Sequence, residues 1–557
     1  MANKTILQGF EWYSVGLEST LILPKPGYKD EKPRIRATSH WTRLEELLPQ
    51  FSVLGITSIW IPPACKATNP KDNGYGVYDL YDLGEFNTKG SVATKWGTKA
   101  ELEALCGKAQ SQSIDIIFDA VLNHRASPDA LEECLAVRVD LNERTKELDV
   151  EPRTINAWTK FNYEARNGKY SGLRYHSVHF SGTDWDHKTR EKGIFKIMGK
   201  RSDGSAKNWA VDVATTENGN YDYLMFVDVD YGDSEVQEDV KRWGRWLVDT
   251  LPGVRGMRLD AIKHYSASFQ RKFIDYIAEY ADCGNDKFFF IGEYWLANSK
   301  YLSSHLSNIF AGTNFHLFDV KLMYNFHDFS TGTLRDLRKV FGNTFVALQP
   351  TRAVTFVTNH DTQEMQSLAA PVEPWFIPHA YAIILLRIEG TPCVFWGDLY
   401  GTNGPKPREP ACGGHLSRLV LARKHYAYGR QEDYFDDPRC IGWVRGGMSP
   451  DAELCGLTVL VNTAWSWRRK RMRVAKVFAG QVWSDIMGWA WSGVLIDDEG
   501  YGEFVVGPRS VSVWTWQNAS FREEIDSLVY PLEPEFESQL DDGIERGFSS
   551  TDASHKY

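Results

Sequence analysis

The chain has 557 residues, 43% hydrophobic and 24% charged, which excludes wholesale disorder and exceeds one ordinary domain. Net charge is -10, so a nucleic-acid partner is not expected, because such surfaces are basic. No apolar run approaches a membrane-spanning length, so no membrane partner is expected either.

Met1–Thr5 lead straight into the apolar segment Ile6-Leu7-Gln8-Gly9-Phe10. No charged stretch followed by an apolar one precedes it, so no export signal is expected and the address reads as cytoplasmic. The eight cysteines (65, 106, 134, 283, 393, 412, 440, 455) are scattered without CxxC spacing and read as reduced thiols. Ser14–His40, with Pro24, Pro26 and Pro33, reads as a long loop. Trp41, Leu44, Leu47, Leu48, Phe51 and Leu54 then recur with helical period. Thr42 and Glu45 fit a capping box at that helix's start, and Gly55 its stop. A strand at 57–61, a helix from Thr98 to Gln112 and a strand at 114–121 follow. Short apolar strands alternating with helices predict a parallel sheet.

From Arg125 to Asp230 the chain is polar, Gly-rich and aromatic, without clean helical periods. It reads as a subdomain inserted after strand three. The alternation resumes with a helix at 236–251, a strand at 254–259, a helix at 268–280 and strands at 287–292, 315–320, 353–358 and 393–396. With 6–10, 57–61 and 114–121 that makes eight strands, a TIM (β/α)8 barrel. From Glu432 helices stop, and Cys440–Arg445, Leu454–Asn462, Arg468–Val474 and Glu503–Trp516 predict a C-terminal antiparallel β-sandwich. The expected division is barrel at 1–124 and 231–430, insertion at 125–230, sandwich at 431–517 and an acidic tail at 518–557. Phe521, Leu528, Val529, Tyr530 and Leu532 are the tail residues able to dock.

Barrel chemistry sits at the C-terminal ends of strands. Strand three ends in Asp119-Ala120-Val121-Leu122-Asn123-His124-Arg125, strand four carries Arg258 and Asp260, strand five ends in Glu293, and strand seven in Asn359-His360-Asp361. Period two puts Arg258 and Asp260 on one face, where the cation should keep the carboxylate ionised as a nucleophile. Glu293 follows a wholly apolar strand and precedes Tyr294 and Trp295, so desolvation should raise its pKa and suit a general acid. Paired carboxylates in unlike surroundings are what glycoside hydrolysis needs. Asp361 would stabilise charge on the sugar, and His124 and His360 would bond its hydroxyls. The plain alternative, helix-capping acids and a structural Arg–Asp pair, explains one strand end more readily than three acids on one rim.

Asp119–His124, Gly256–His264, Gly292-Glu293-Tyr294-Trp295 and Phe356–Asp361 resemble, in order, the four short motifs of the α-amylase family of glycoside hydrolases (family 13). Gly74–Phe86 and Glu217–Met225 resemble liquefying bacterial-type members, and the similarity spans roughly residues 4 to 517. The resemblance implies Asp260 as nucleophile, Glu293 as acid/base and Asp361 as transition-state stabiliser. It implies Arg258, His124 and His360 around the cleaved sugar, Tyr75 as its stacking platform, Lys263 and His264 on the aglycone side, and Trp295 as a further substrate contact. It also implies one structural Ca²⁺ held by Asn123, Asp222, Asp228 and the main-chain carbonyl of His264, all hard oxygen donors. Ser181 and Val211 stand where the liquefying pattern has acids, so a further metal cluster is not expected; Asp212 lies one position away, and Asp230 is left as a minor ligand.

The expectation is an intracellular, fungal-type, monomeric enzyme that cleaves internal α-1,4-glucosidic bonds of starch, glycogen or maltooligosaccharides with retention. The same residues serve a 4-α-glucanotransferase, because the two share the first half-reaction. A non-catalytic glycan-binding protein is the remote alternative, opposed by the three intact carboxylates. The Ser14–His40 segment follows strand one, so it is expected on the catalytic rim, limiting access for branched or granular starch.

Overall fold

In a computed structural model, which describes residues 3–22, 34–282, 287–448, 455–490 and 493–528, eight parallel strands close on themselves. They are β1 (Ile6–Gln8), β2 (Ser58–Trp60), β3 (Asp115–Ala120), β4 (Val254–Leu259), β5 (Phe289–Gly292), β6 (Phe315–Phe318), β7 (Ala353–Phe356) and β8 (Thr391–Phe395). Ile6 of β1 sits opposite Ser58 of β2 on one side and Cys393 of β8 on the other, which closes the barrel. The strands are almost wholly buried, as apolar runs covered by helices outside and side chains inside must be. Each lies on an expected segment; β8 stops at Phe395 because Trp396–Tyr400 turns into a short helix.

The first helix runs His40–Leu54 and ends on Gly55 in the left-handed region, φ 82°, as expected. Its cap differs from the expected Thr42–Glu45 box. Ser39 takes the extended cap conformation and its hydroxyl accepts from Thr42 N at 3.2 Å, so Thr42 lies inside the first turn. A reciprocal box does form on the next helix, Lys99–Ser111, where Glu101 Oε2 accepts from Thr98 N at 2.7 Å and Thr98 Oγ1 from Glu101 N at 3.3 Å. Such a cap contributes about 1 kcal/mol.

The expected Ser14–His40 loop is corrected. Leu17–Ile22 and Arg34–Ser39 pair antiparallel, Leu17 opposite Ser39 and Ile22 opposite Arg34. Both segments carry β-branched residues, whereas Pro24, Pro26 and Pro33 fall in 23–33, outside the described residues. The prolines dominate the sequence pattern and mask the short strands that flank them.

The insertion is built on a six-stranded antiparallel sheet in the order Arg153–Lys160, Ala130–Val139, Glu191–Ile197, Phe180–Asp186, Val227–Val229, His124–Arg125. Its last member continues directly from β3, and pairing sets His124 opposite Asp228. The C-terminal unit holds a second six-stranded sheet and a separate ribbon, Arg468–Arg473 against Tyr501–Val506. The single expected strand Glu503–Trp516 is two, Tyr501–Val506 and Ser510–Trp516, because Gly507-Pro508-Arg509 turns the chain. Beyond it a helix at Arg522–Ser527 docks through buried Ile525, and Phe521 stacks on His425 at 4.2 Å. Leu528 packs against the core, whereas Val529, Tyr530 and Leu532 lie outside the described residues. The seven described cysteines are free thiols; Cys283 lies outside the described residues. Among the described residues no helix is long and apolar enough to cross a membrane.

Candidate active site

β4 places Arg258 in register with Asp119 of β3 and Ile291 of β5. From there its guanidinium serves three acids. Nη1 donates to Asp260 Oδ1 at 2.6 Å and to Asp119 Oδ1 at 2.7 Å, and Nη2 lies 2.7 Å from Glu293 Oε2. Arg258 is 1% exposed, so little water screens these bonds. After Asp260 the chain turns through Ala261 in the left-handed region, φ 49°, a conformation costing about 1–3 kcal/mol. That turn aims Ala261 N at Glu293 Oε2, 3.1 Å away.

Asp119 was missed as a site residue. Its second oxygen accepts from Trp60 Nε1 at 3.0 Å and Tyr75 Oη at 2.9 Å, so it is spent on holding Arg258 and the Tyr75 ring. The available signal was an acid one strand across from Arg258 at equal depth. On β7's end, Gln8 Nε2 donates to His360 Nδ1 at 3.0 Å, which leaves the proton on Nε2, 3.2 Å from Asp361 Oδ2. His360, Tyr75 and Trp12 stand parallel within 6°, with Tyr75 5.1 Å from His360 and 6.1 Å from Trp12. His124 Nε2 bonds Tyr75 O at 2.8 Å, and burial brings that imidazole down to about 4, so it is neutral.

Burial competes with Arg258 at Asp260, which the sequence expects to stay ionised. Burial, reinforced by nearby Asp119, outweighs the guanidinium and raises Asp260 to about 6. Burial likewise raises Glu293, and raises Asp361 well above the usual range, with Glu293 adding repulsion. One cation faces four buried carboxyls, so their titrations are shared across the cluster.

Lys263 and His264 sit on the short turn Ile262–His264 that follows. Lys263 Nζ contacts both Glu217 oxygens at 2.8 Å and Trp295 O at 3.4 Å; Glu217, in a segment singled out for its pattern, was not expected at the site. Trp295 Nε1 donates to Tyr324 Oη at 3.1 Å. His264 Nδ1 bonds Tyr221 O at 2.9 Å, the residue before Asp222.

Asn123, Asp222 and Asp228 are all buried. Among the described residues Asn123 Oδ1 and Asp228 Oδ1 have no hydrogen-bond partner, an expensive state for buried oxygens. Burial pushes Asp222 to about 8, and Asp228 well above the usual range with Asp222 repelling it. Crowded acids and an orphaned amide oxygen are a hard donor set that fits Ca²⁺. Asp230 is turned to cations instead: Arg201 Nε lies 2.9 Å and Lys207 Nζ 3.7 Å from its Oδ2. Asp212 accepts from Ser266 Oγ at 3.0 Å and Ser268 N at 2.7 Å, tied to the start of helix Ala267–Ala281. His179, Asp233 and Glu235 also converge, but His179 Nδ1 accepts from His176 N at 3.1 Å, so its Nε2 proton is directed at Glu235 and no lone pair faces the cluster.

Residues 41–442 match the family described as "Alpha amylase, catalytic domain", and 457–515 match "Alpha-amylase C-terminal". The chain is 43% identical over 516 residues to an alpha-amylase of Bacillus licheniformis, covering 92% of this chain and 93% of that one. It is 40% identical over 514 residues to a glucan 1,4-alpha-maltohexaosidase of Bacillus sp. (strain 707), covering 92% of each. It is 36% identical over 524 residues to the cytoplasmic alpha-amylase of Escherichia coli (strain K12), covering 92% of this chain and 99% of that one. Among solved structures, an Anoxybacillus alpha-amylase superposes with a TM-score of 0.56 at 15% identity, covering 86% of this chain and 90% of that one, a likeness of fold.

Proposed function

The chain belongs to the α-amylase family of glycoside hydrolases, and on that premise we propose that Asp260, Glu293 and Asp361 carry out retaining endo-hydrolysis of internal α-1,4-glucosidic bonds. Asp260 attacks the anomeric carbon while Glu293 protonates the departing glycosidic oxygen. Glu293, now a base, takes a proton from water as it displaces the sugar from Asp260. Asp361, with His360 donating to it, faces the positive charge that builds on the ring. Tyr75 offers a face for that ring, and His124 holds the Tyr75 backbone. Lys263, His264 and Trp295 line the leaving-group side.

One observation carries the reading. A single buried guanidinium holds Asp260 at 2.6 Å and Glu293 at 2.7 Å, which brings nucleophile and acid to one point on the rim. Asn123, Asp222, Asp228 and the carbonyl of His264 would hold the Ca²⁺. When bound, such an ion would supply charge that quiets the buried acids and would tie the insertion to the barrel. Starch, glycogen and maltooligosaccharides are the proposed substrates. Similarity to a cytoplasmic relative supports a cytoplasmic address, and a monomer is the proposed state.

The test is Asp260→Asn and Glu293→Gln on soluble starch. Each should fold normally and release reducing sugar about 10²–10⁴-fold more slowly. Activity within twofold of the parent in either variant would end the assignment.

A further inference from the structure

We propose that a cavity between the barrel's helical ring and the C-terminal sheets binds a phosphate monoester carried on a sugar. The cavity encloses about 350 Å³ and is lined by Arg335, Arg439, Arg509, Trp375, Trp465 and Thr463, with Ser330 and Thr331 on its wall. Ser330 and Thr331 end the helix Val320–Thr331 that follows β6. A helix after a barrel strand runs back toward the strand's start, so this end lies away from the catalytic rim. A ligand here leaves the cleft free.

The charge pattern is what singles the place out. On the neighbouring strand Arg468–Arg473, cations are matched with acids: Arg468 with Asp437 at 3.6 Å, Arg469 with Glu503 at 3.3 Å, Lys470 with Asp436, and Arg471 with Asp497 at 2.6 Å. The cavity's arginines are not matched. Among the described residues Arg335, Arg439 and Arg509 form no ion pair, and Arg335 Nε only donates to Gly332 O at 3.0 Å. In a chain of net charge -10, three unmatched guanidinia around one hollow are a ready anion site, and their planar forks suit phosphate oxygens.

Arg509 is also held in place. Its guanidinium carbon lies 3.7 Å from the Trp375 ring centre and 4.3 Å from that of Trp465, clamped between two indoles. Its backbone is in the left-handed region, φ 45°, and is tied by Arg509 N to Ala464 O at 2.9 Å. A side chain other than glycine is strained there, and such strain collects at functional positions. Trp465 is 79% exposed, an indole face open to a sugar ring. Thr463 Oγ1, donating to Arg439 O at 3.3 Å, keeps lone pairs for a sugar hydroxyl. Arginines for the phosphate and an indole for the ring define the ligand class.

The test uses the full chain carrying Glu293→Gln, its catalytic cleft first saturated with maltoheptaose so that maltosyl ligands cannot bind there, and isothermal titration with glucose 6-phosphate, inorganic phosphate and maltose. Glucose 6-phosphate should bind saturably, at least tenfold more tightly than maltose, with inorganic phosphate between them. Arg439→Gln should weaken it about tenfold with hydrolysis of a chromogenic maltooligosaccharide unchanged. Arg509→Gly, which relieves the backbone strain and so should fold, should weaken it equally. A phosphorylated maltotetraose titrated into the Glu293→Gln protein separates the sources. Binding tighter than glucose 6-phosphate points to a phosphorylated glucan, and weaker binding to a free sugar phosphate; both support the site. No saturable binding by any phosphate, maltose binding as tightly as glucose 6-phosphate, or variants binding like the parent would overturn it. The binding outcomes do not depend on catalytic turnover.

Discussion

Arg258 does two jobs that pull against each other. It pins Asp119, Asp260 and Glu293, yet it cannot cancel the desolvation all three suffer. Replacing Arg258 by Ala leaves three buried acids facing one another, and about 3–5 kcal/mol of folding stability should be lost in urea unfolding. The Asp260 pKa of about 6 also fixes a sign. A pKa raised above the unfolded value means the folded protein binds the extra proton. That stability is fully present below the unfolded pKa near 4 and is lost as pH rises through about 6. Asp260→Asn lacks this loss, so its melting temperature should exceed the parent's above pH 6, with the gap closing toward pH 4. Activity runs the other way. The nucleophile must be ionised, so kcat/KM should rise with pH through about 6, then fall once Glu293 gives up its proton. Asp119, Arg258, Glu293, Asp361 and Tyr75 all face this cluster, so the two apparent values belong to the set. The acids themselves could be read from sequence because motif and strand end coincide. The sharing of Arg258 could not, because it depends on β3, β4 and β5 meeting at one depth.

At the scale of elements, the site depends on the spacing of β4 and β5. A Cβ on Gly256 would sit 2.6 Å from Phe289 O, so only glycine lets these strands approach. Gly256→Ala should cost about 1–3 kcal/mol and lower kcat, because Arg258 and Asp260 ride on the same strand. All eight barrel strands were legible, since apolar runs between helical periods leave few other readings. The ribbon at Leu17–Ile22 and Arg34–Ser39 was not, because proline-rich sequence between short strands looks like one loop. The sheet of the insertion was illegible for a related reason: its strands alternate weakly, and their pairing joins Arg125 to Val227 across a hundred residues. That pairing brings Asn123 beside Asp228, so the proposed ion would be coupled to the insertion. A Ca²⁺ chelator should lower the melting temperature of the parent, and Asp228→Asn should shrink that drop to a fraction. Equal drops in both proteins would separate the metal from these residues.

Across the whole molecule, hydrolysis and glucanosyl transfer share one covalent intermediate and differ in what arrives next. On maltoheptaose, hydrolysis gives only shorter sugars, whereas products longer than seven units would mark transfer; shorter products alone are expected. Both outcomes presuppose that a sugar becomes bonded to Asp260, on which everything else rests. The decisive measurement is peptide mapping by mass spectrometry after reaction with a fluorinated maltosyl fluoride that forms the intermediate but turns over slowly. A glycosyl mass on the peptide carrying Asp260, and on no peptide in the Asp260→Asn protein, is the predicted result. A label on any other carboxylate, or inactivation without a covalent adduct, would contradict the account.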